Sequence, residues 1–130
     1  MIVIVTGGRF YAGTGLVAEL ARMHAETQIG LLIVGGATGA DTLALRWALD
    51  AQERDSVNGL GLPVVEVVRA DWNRFGRPAG PRRNAEMVAL AQARRGVGES
   101  VLCIAAPGNR GTADCMSKAV AAGFEVRRVA

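Results

Sequence analysis

Five short apolar runs punctuate the chain: IVIV at 2–5, LLIV at 31–34, VVEVV at 64–68, VLCIA at 101–105 and EVRRV at 125–129. Between them lie segments with helical patterns, at about 14–28, 40–54, 81–95 and 112–122. Parallel strands need a long crossover, and a helix supplies it. The alternation therefore predicts a parallel sheet with helices on both faces and right-handed crossovers. Runs one, two and four are almost wholly apolar, as strands covered on both faces must be. The fifth alternates and carries Arg127 and Arg128, which suits an edge. The expected fold is α/β: a Rossmann-like three-layer sandwich of about five mostly parallel strands, forming one domain over residues 1–130. DSVNGLGLP at 55–63 is the one flexible loop expected.

Composition narrows the chemistry. Half of the 130 residues are apolar and 17 are glycine, a profile of tight strand-to-helix turns rather than disorder. No apolar run reaches membrane-spanning length, and MIVIVTGG lacks the basic flank and cleavage site of a signal peptide, so a cytoplasmic protein without membrane contact is expected. Cys103 and Cys115 read as reduced thiols. His24 is the lone histidine, which leaves little material for a histidine metal site or a Ser-His-Asp triad. The formal charge is +3, and every basic residue but Lys118 is arginine. Arginine is the better bidentate partner for phosphate, although GC-rich coding also favours it.

Ligands of open α/β sheets bind beyond the carboxyl ends of the strands, near the point where strand order reverses. Every unusual motif follows a strand: TGGRFY (6–11), GGATGADT (35–42), ADWNRFGRPAGPRRN (70–84) and APGNRGTAD (105–114). The opposite loops, QIG, RRGVGES and AAGFE, are ordinary.

Glycine-rich turns that open onto a helix aim backbone N–H groups at an anion, and the helix dipole reinforces them. The candidate phosphate loop is Pro107, Gly108, Asn109, Arg110, Gly111 and Thr112, with Thr112 as helix cap or phosphate donor. Gly7, Gly8 and Arg9 follow the first strand. Gly35, Gly36 and Gly39 follow the second, with Asp41 as cap or ribose acceptor. Arg9, Arg82, Arg83 and Arg110 are candidate phosphate clamps, Trp72 a stacking surface and Asn84 a ribose contact. Singly, each glycine is explained by a turn, and Asp41 or Thr112 by a cap. Three such loops at one sheet edge, interleaved with arginines, point to a phosphorylated ligand. G-x-x-x-x-G-K-[ST] is absent, which disfavours a P-loop enzyme. No strict G-x-G-x-x-G follows strand one and no acidic residue ends strand two, so a conventional nicotinamide dehydrogenase is disfavoured as well.

VTGGRFY, GGATGADTLALRWA, ADWNRFGRPAGPRRNAEM and APGNRGTADCMSKAVAAGFEV, in that order, resemble the YspA/YpsA-related SLOG proteins of phages and bacteria. That group lies in the superfamily joining the Smf/DprA DNA-processing proteins with the LOG phosphoribohydrolases. The resemblance implies a Rossmann-like fold that binds nucleotides or their derivatives, often as a homodimer. LOG enzymes carry P-G-G-x-G-T-x-x-E, whose glutamate assists cleavage of the bond between base and ribose 5′-monophosphate. Here Asn109 replaces the second glycine and Cys115 the glutamate; Asp114 is one residue off, about 100° around a helix. Thr38 also stands where many relatives carry arginine.

The leading expectation is binding of a nucleoside monophosphate or ADP-ribose-like molecule, its phosphate on the loop from Pro107 to Thr112. Hydrolysis of the N-glycosidic bond stays open, with Asp114 and Asp71 as candidate catalytic carboxylates; Asp71 would equally hold Arg82 or Arg83 in a salt bridge. Rival readings are DprA-like single-stranded nucleic-acid binding through residues 72–83, with Trp72 and Phe75 as stacking surfaces, and a vestigial site. No cofactor or resident metal is expected; a magnesium ion would arrive with the ligand's phosphates.

Overall fold

The computed structural model describes residues 1–56 and 61–130. Its elements run β1 (Ile2–Thr6), α1 (Gly15–Glu26), β2 (Leu31–Val34), α2 (Ala40–Arg54), β3 (Val64–Val67), α3 (Trp72–Phe75), α4 (Ala79–Arg94), β4 (Val101–Ala105), α5 (Arg110–Ala121) and β5 (Glu125–Arg128). The strands form one sheet in the order β3-β2-β1-β4-β5, and every pairing is parallel. Ile2 pairs with Leu31 on one side and Val101 on the other. Part of the loop expected at 55–63, residues 57–60, lies outside the described residues.

The period-2 alternation of side chains sorts the three central strands into two cores. Val3, Val5, Leu32, Val34, Leu102 and Ile104 face α1 and α2. Ile2, Ile4, Leu31, Ile33, Val101 and Cys103 face α4 and α5. Alanines at 40, 44, 48 and 51 keep α2 close to the sheet, while Leu16, Leu20 and Met23 form the buried stripe of α1. β1, β2 and β4 are buried throughout; β3 and β5 are partly exposed at the two edges.

Two helices start earlier than their patterns suggest. α4 begins at Ala79, which puts Pro81 in the first turn, where a missing N–H costs nothing. α5 begins at Arg110, so Thr112 is an internal first-turn residue and caps nothing. The four-residue α3 has no apolar period to announce it; the Asp71 carboxylate accepts the Arg74 N–H at 3.1 Å and caps it.

Glu19 ties α1 to the edge strand β5. Its carboxylate accepts from Arg22 at 2.6 Å and from Arg127 at 2.8 Å. The Arg22 hydrogen bond, foremost, and the Arg127 pair hold its pKa at about 2, down from 4.5. A depressed carboxylate stabilises the fold above its unfolded value and loses that contribution as pH falls through the folded one. Glu19→Gln is therefore expected to cost on the order of 1 kcal/mol at neutral pH after solvent screening. The deficit should vanish as the pH drops from 4.5 towards 2, followed by urea unfolding of both proteins. A deficit independent of pH would mean that packing, not charge, is lost.

Candidate functional site

Strand order reverses between β1 and β4, so their loops diverge at that point. The crevice is shut at its base. Gly8 N–H donates to the Pro107 carbonyl at 2.9 Å, which clasps the β1 and β4 loops together. A side chain at Gly108 would collide with Thr112 Oγ1 and approach Gly8 N to 2.8 Å. The β2 loop joins the clasp: Ala40 N–H reaches the Gly8 carbonyl at 3.2 Å, and Thr38 Oγ1 donates to the Arg9 carbonyl at 3.1 Å. Gly39, at φ +74°, lies against Gly8 and Arg9, where only glycine fits without strain. Three glycine loops thus form one platform.

The N-termini of α1, α2, α4 and α5 all lie at this edge, and at three of them a first-turn N–H already has a partner. At α1, Tyr11 Oη accepts the Leu16 N–H at 3.1 Å and itself donates to the Ala130 carbonyl at 2.8 Å. At α2, Ala40 N–H is already spent on Gly8, and Asp41 places its own carboxylate in the first turn. At α4, Ala79 N–H goes to the Gly76 carbonyl at 3.0 Å, and Pro81 has no N–H. The first turn of α5 differs. Asn109 makes no side-chain cap, and the N–H groups of Arg110, Gly111 and Thr112 have no partner among the described residues. Pro107, Gly108, Asn109, Arg110 and Gly111 are exposed. This turn joins unpaired donors to the positive end of a helix dipole.

Charge is distributed to match. Arg9, Arg69, Arg74, Arg77, Arg82 and Arg110 lie on the loops and helix starts of this edge, and none is in an ion pair among the described residues. Arg82 and Arg74 lie over the Phe75 ring at 4.1 and 4.8 Å from its centroid. Trp72 is half-exposed and leans on Gly80.

Several candidates are committed to internal work. Arg83 Nη1 donates to the Gly35 carbonyl at 2.7 Å and Nε to Asn84 Oδ1 at 3.0 Å. Asn84 is 2% exposed, and its Nδ2 reaches both the Gly111 carbonyl and Asp114 Oδ2 at 3.0 Å. Asp114 binds Lys118 at 2.5 Å; burial opposes its ionisation, but Lys118 and Asn84 hold its pKa below the usual range. A single polar chain so links the β2 loop, α4 and the first turns of α5. Asp41 is buried and accepts the Ala37 N–H at 3.1 Å; burial raises its pKa, opposed by that bond, by the Arg83 charge and by Gly35 N–H. Asp71 is exposed and caps α3, with no ion pair to Arg82 or Arg83. Cys115 is fully buried against the sheet with Cys103, so the position matched to the LOG glutamate points into the core.

His24 serves elsewhere. It accepts the Ile29 N–H at Nδ1 (3.0 Å), which leaves Nε2 as the donor to Asp55 at 2.8 Å. Sequence reasoning missed the loop clasp and Phe10, which is 91% exposed at this edge. Only the run TGGRF could have hinted at the phenylalanine, because an apolar residue in a glycine loop ordinarily packs.

The family model for the YspA, cpYpsA-related SLOG family matches residues 1–75. The chain is 38% identical over 129 residues to Gene 61 protein of Mycobacterium phage D29, covering 95% of this chain and 92% of that one. No solved structure matches it.

Proposed function

Because the chain belongs to the YspA, cpYpsA-related SLOG family, we propose that it binds a nucleotide or nucleotide-derived ligand, with a phosphate on the first turn of α5. The observation that carries this reading is the difference between the four helix starts: α5 alone, among the described residues, has none of its first three N–H groups partnered, and unpaired arginines back it. Arg110 and Arg9 would supply countercharge, and Gly108 and Gly111 would let the phosphate approach the backbone.

The same geometry supports binding without hydrolysis. Cleaving a base from ribose 5-phosphate needs a carboxylate near the anomeric carbon. Near the α5 turn, Asp114 is tied to Lys118 and Asn84, Cys115 is buried, and Asp41 faces inward. Single-stranded nucleic acid is a weaker fit, since Arg82 and Arg74 already occupy Phe75 as a stacking surface.

The test is a thermal-shift screen against nucleoside mono-, di- and triphosphates, NAD, ADP-ribose and inorganic phosphate. Each stabilising compound is then incubated with the protein and chromatographed. A ligand at 100 times its Kd should stabilise the fold by about 2.7 kcal/mol and be recovered intact. Arg110→Glu should abolish the shift. Released base that disappears in Asp114→Asn or Asp71→Asn would overturn the non-hydrolytic reading, and no shift with any compound would overturn the binding site.

A further inference from the structure

Phe10 sits in a loop with little freedom. On either side of it, Gly8 accepts from Tyr11 N–H at 3.1 Å, Arg9 accepts from Thr38, and Tyr11 Oη bridges Leu16 N–H and the Ala130 carbonyl. Yet the phenyl ring is 91% exposed. Isolated exposed apolar residues are ordinary on helix faces, as Leu49 and Val120 are here. A large aromatic held out from a pinned loop, at the crevice where strand order reverses, calls for a partner.

Position identifies that partner's chemistry. Phe10 is two residues from Gly8, so its Cα lies within about 7 Å of the Gly8 Cα. Gly8 is itself bonded to Pro107, at the edge of the α5 turn. A ribose-sized spacer would join a phosphate on that turn to a planar group on the ring. Trp72, the other exposed aromatic of this edge, already has a packing partner: its ring leans on Gly80 at the start of α4 and is 55% exposed, against 91% for Phe10.

Building on the phosphate site proposed above, we propose that Phe10 is the stacking surface for the nucleobase, and that the site selects base-bearing over base-free sugar phosphates. Aromatic stacking tolerates every base, because each presents a π face, so the ring confers a preference for nucleotides as a class and not for one base.

The experiment compares the affinity of the four nucleoside monophosphates with that of ribose 5-phosphate, by calorimetry, for the wild type, Phe10→Ala and Phe10→Tyr. The wild type should prefer the nucleotides by roughly ten-fold or more. Phe10→Ala should collapse that ratio towards one at unchanged thermal stability, and Phe10→Tyr should restore it. A ratio retained in Phe10→Ala overturns the stacking role while the nucleotide site stands. Equal wild-type affinity for both ligand types overturns it while a phosphate site stands. A wild type that binds neither overturns both readings. A change of oligomeric mass in Phe10→Ala, read by light scattering, would assign the ring to an interface between copies and overturn the proposal.

Discussion

Gly108→Ala is expected to cost about 2 kcal/mol of stability and to remove nucleotide binding. The added methyl has no room: it meets Thr112 Oγ1, comes within 2.8 Å of Gly8 N, and lies 2.9 Å from Thr112 Cβ. Either Thr112 leaves its buried position or the Gly8–Pro107 clasp opens, and overpacking of this kind typically costs 1–3 kcal/mol. Both routes displace the turn that carries the proposed phosphate. Gly111→Ala is the matched control for stability alone, because a methyl there meets no protein atom within 4 Å. In the first turn of a helix, alanine should leave stability unchanged or raise it by up to about 1 kcal/mol. Urea unfolding and ligand titration of both variants separate the effects. Equal stability of the two would show that the clasp yields without cost; full binding by Gly108→Ala would move the ligand off this turn.

Arg83→Leu should lower stability by about 3 kcal/mol at neutral pH. Two buried acceptors, the Gly35 carbonyl and Asn84 Oδ1, lose their donor, and each unsatisfied group costs about 1–3 kcal/mol. Asp41 also loses its nearby positive charge. Burial, foremost, already raises the Asp41 pKa in the wild type, and removing the guanidinium raises it further. The folded variant then takes up a proton at a pH where its unfolded chain is still ionised. The penalty is therefore full above the folded Asp41 pKa and shrinks as pH falls through it. Arg83→Lys should recover only part, since one ammonium cannot serve two acceptors in fork geometry. Denaturant unfolding of wild type and variant across pH is the measurement. A penalty that stays constant down to acid pH would remove Asp41 from the account.

The sheet was legible because its causes are local. Continuous apolar runs at 2–5, 31–34 and 101–105 became buried strands, and the polar alternation at 125–128 became an edge. Glycine loops at the carboxyl ends followed from the same alternation. What each loop residue does was not legible. Thr112 and Asp41 have the residue types of helix caps, yet one lies inside a first turn and the other braces the Ala37 N–H. Asn84 looked like a ligand contact and is a buried link between α4 and α5. Asp114 looked like a displaced catalytic carboxylate and has Lys118 one helical turn away as its partner. α3 escaped because four residues give no period, and its cap is a single side-chain bond.

By itself the sequence determined the strand count, the parallel sheet, the family resemblance and the edge on which the unusual motifs gather. Periodicity and turn chemistry act over a few residues and are written in the order of the amino acids. Only the tertiary structure decided which helix start remains open. At the other three a first-turn N–H is taken up by a group from outside the helix: Tyr11, held by Ala130, at α1, Gly8 at α2 and Gly76 at α4. Hydrogen-bond donors are satisfied by proximity in space, and the contact between residue 11 and residue 130 is not encoded in any window of sequence that contains only one of them.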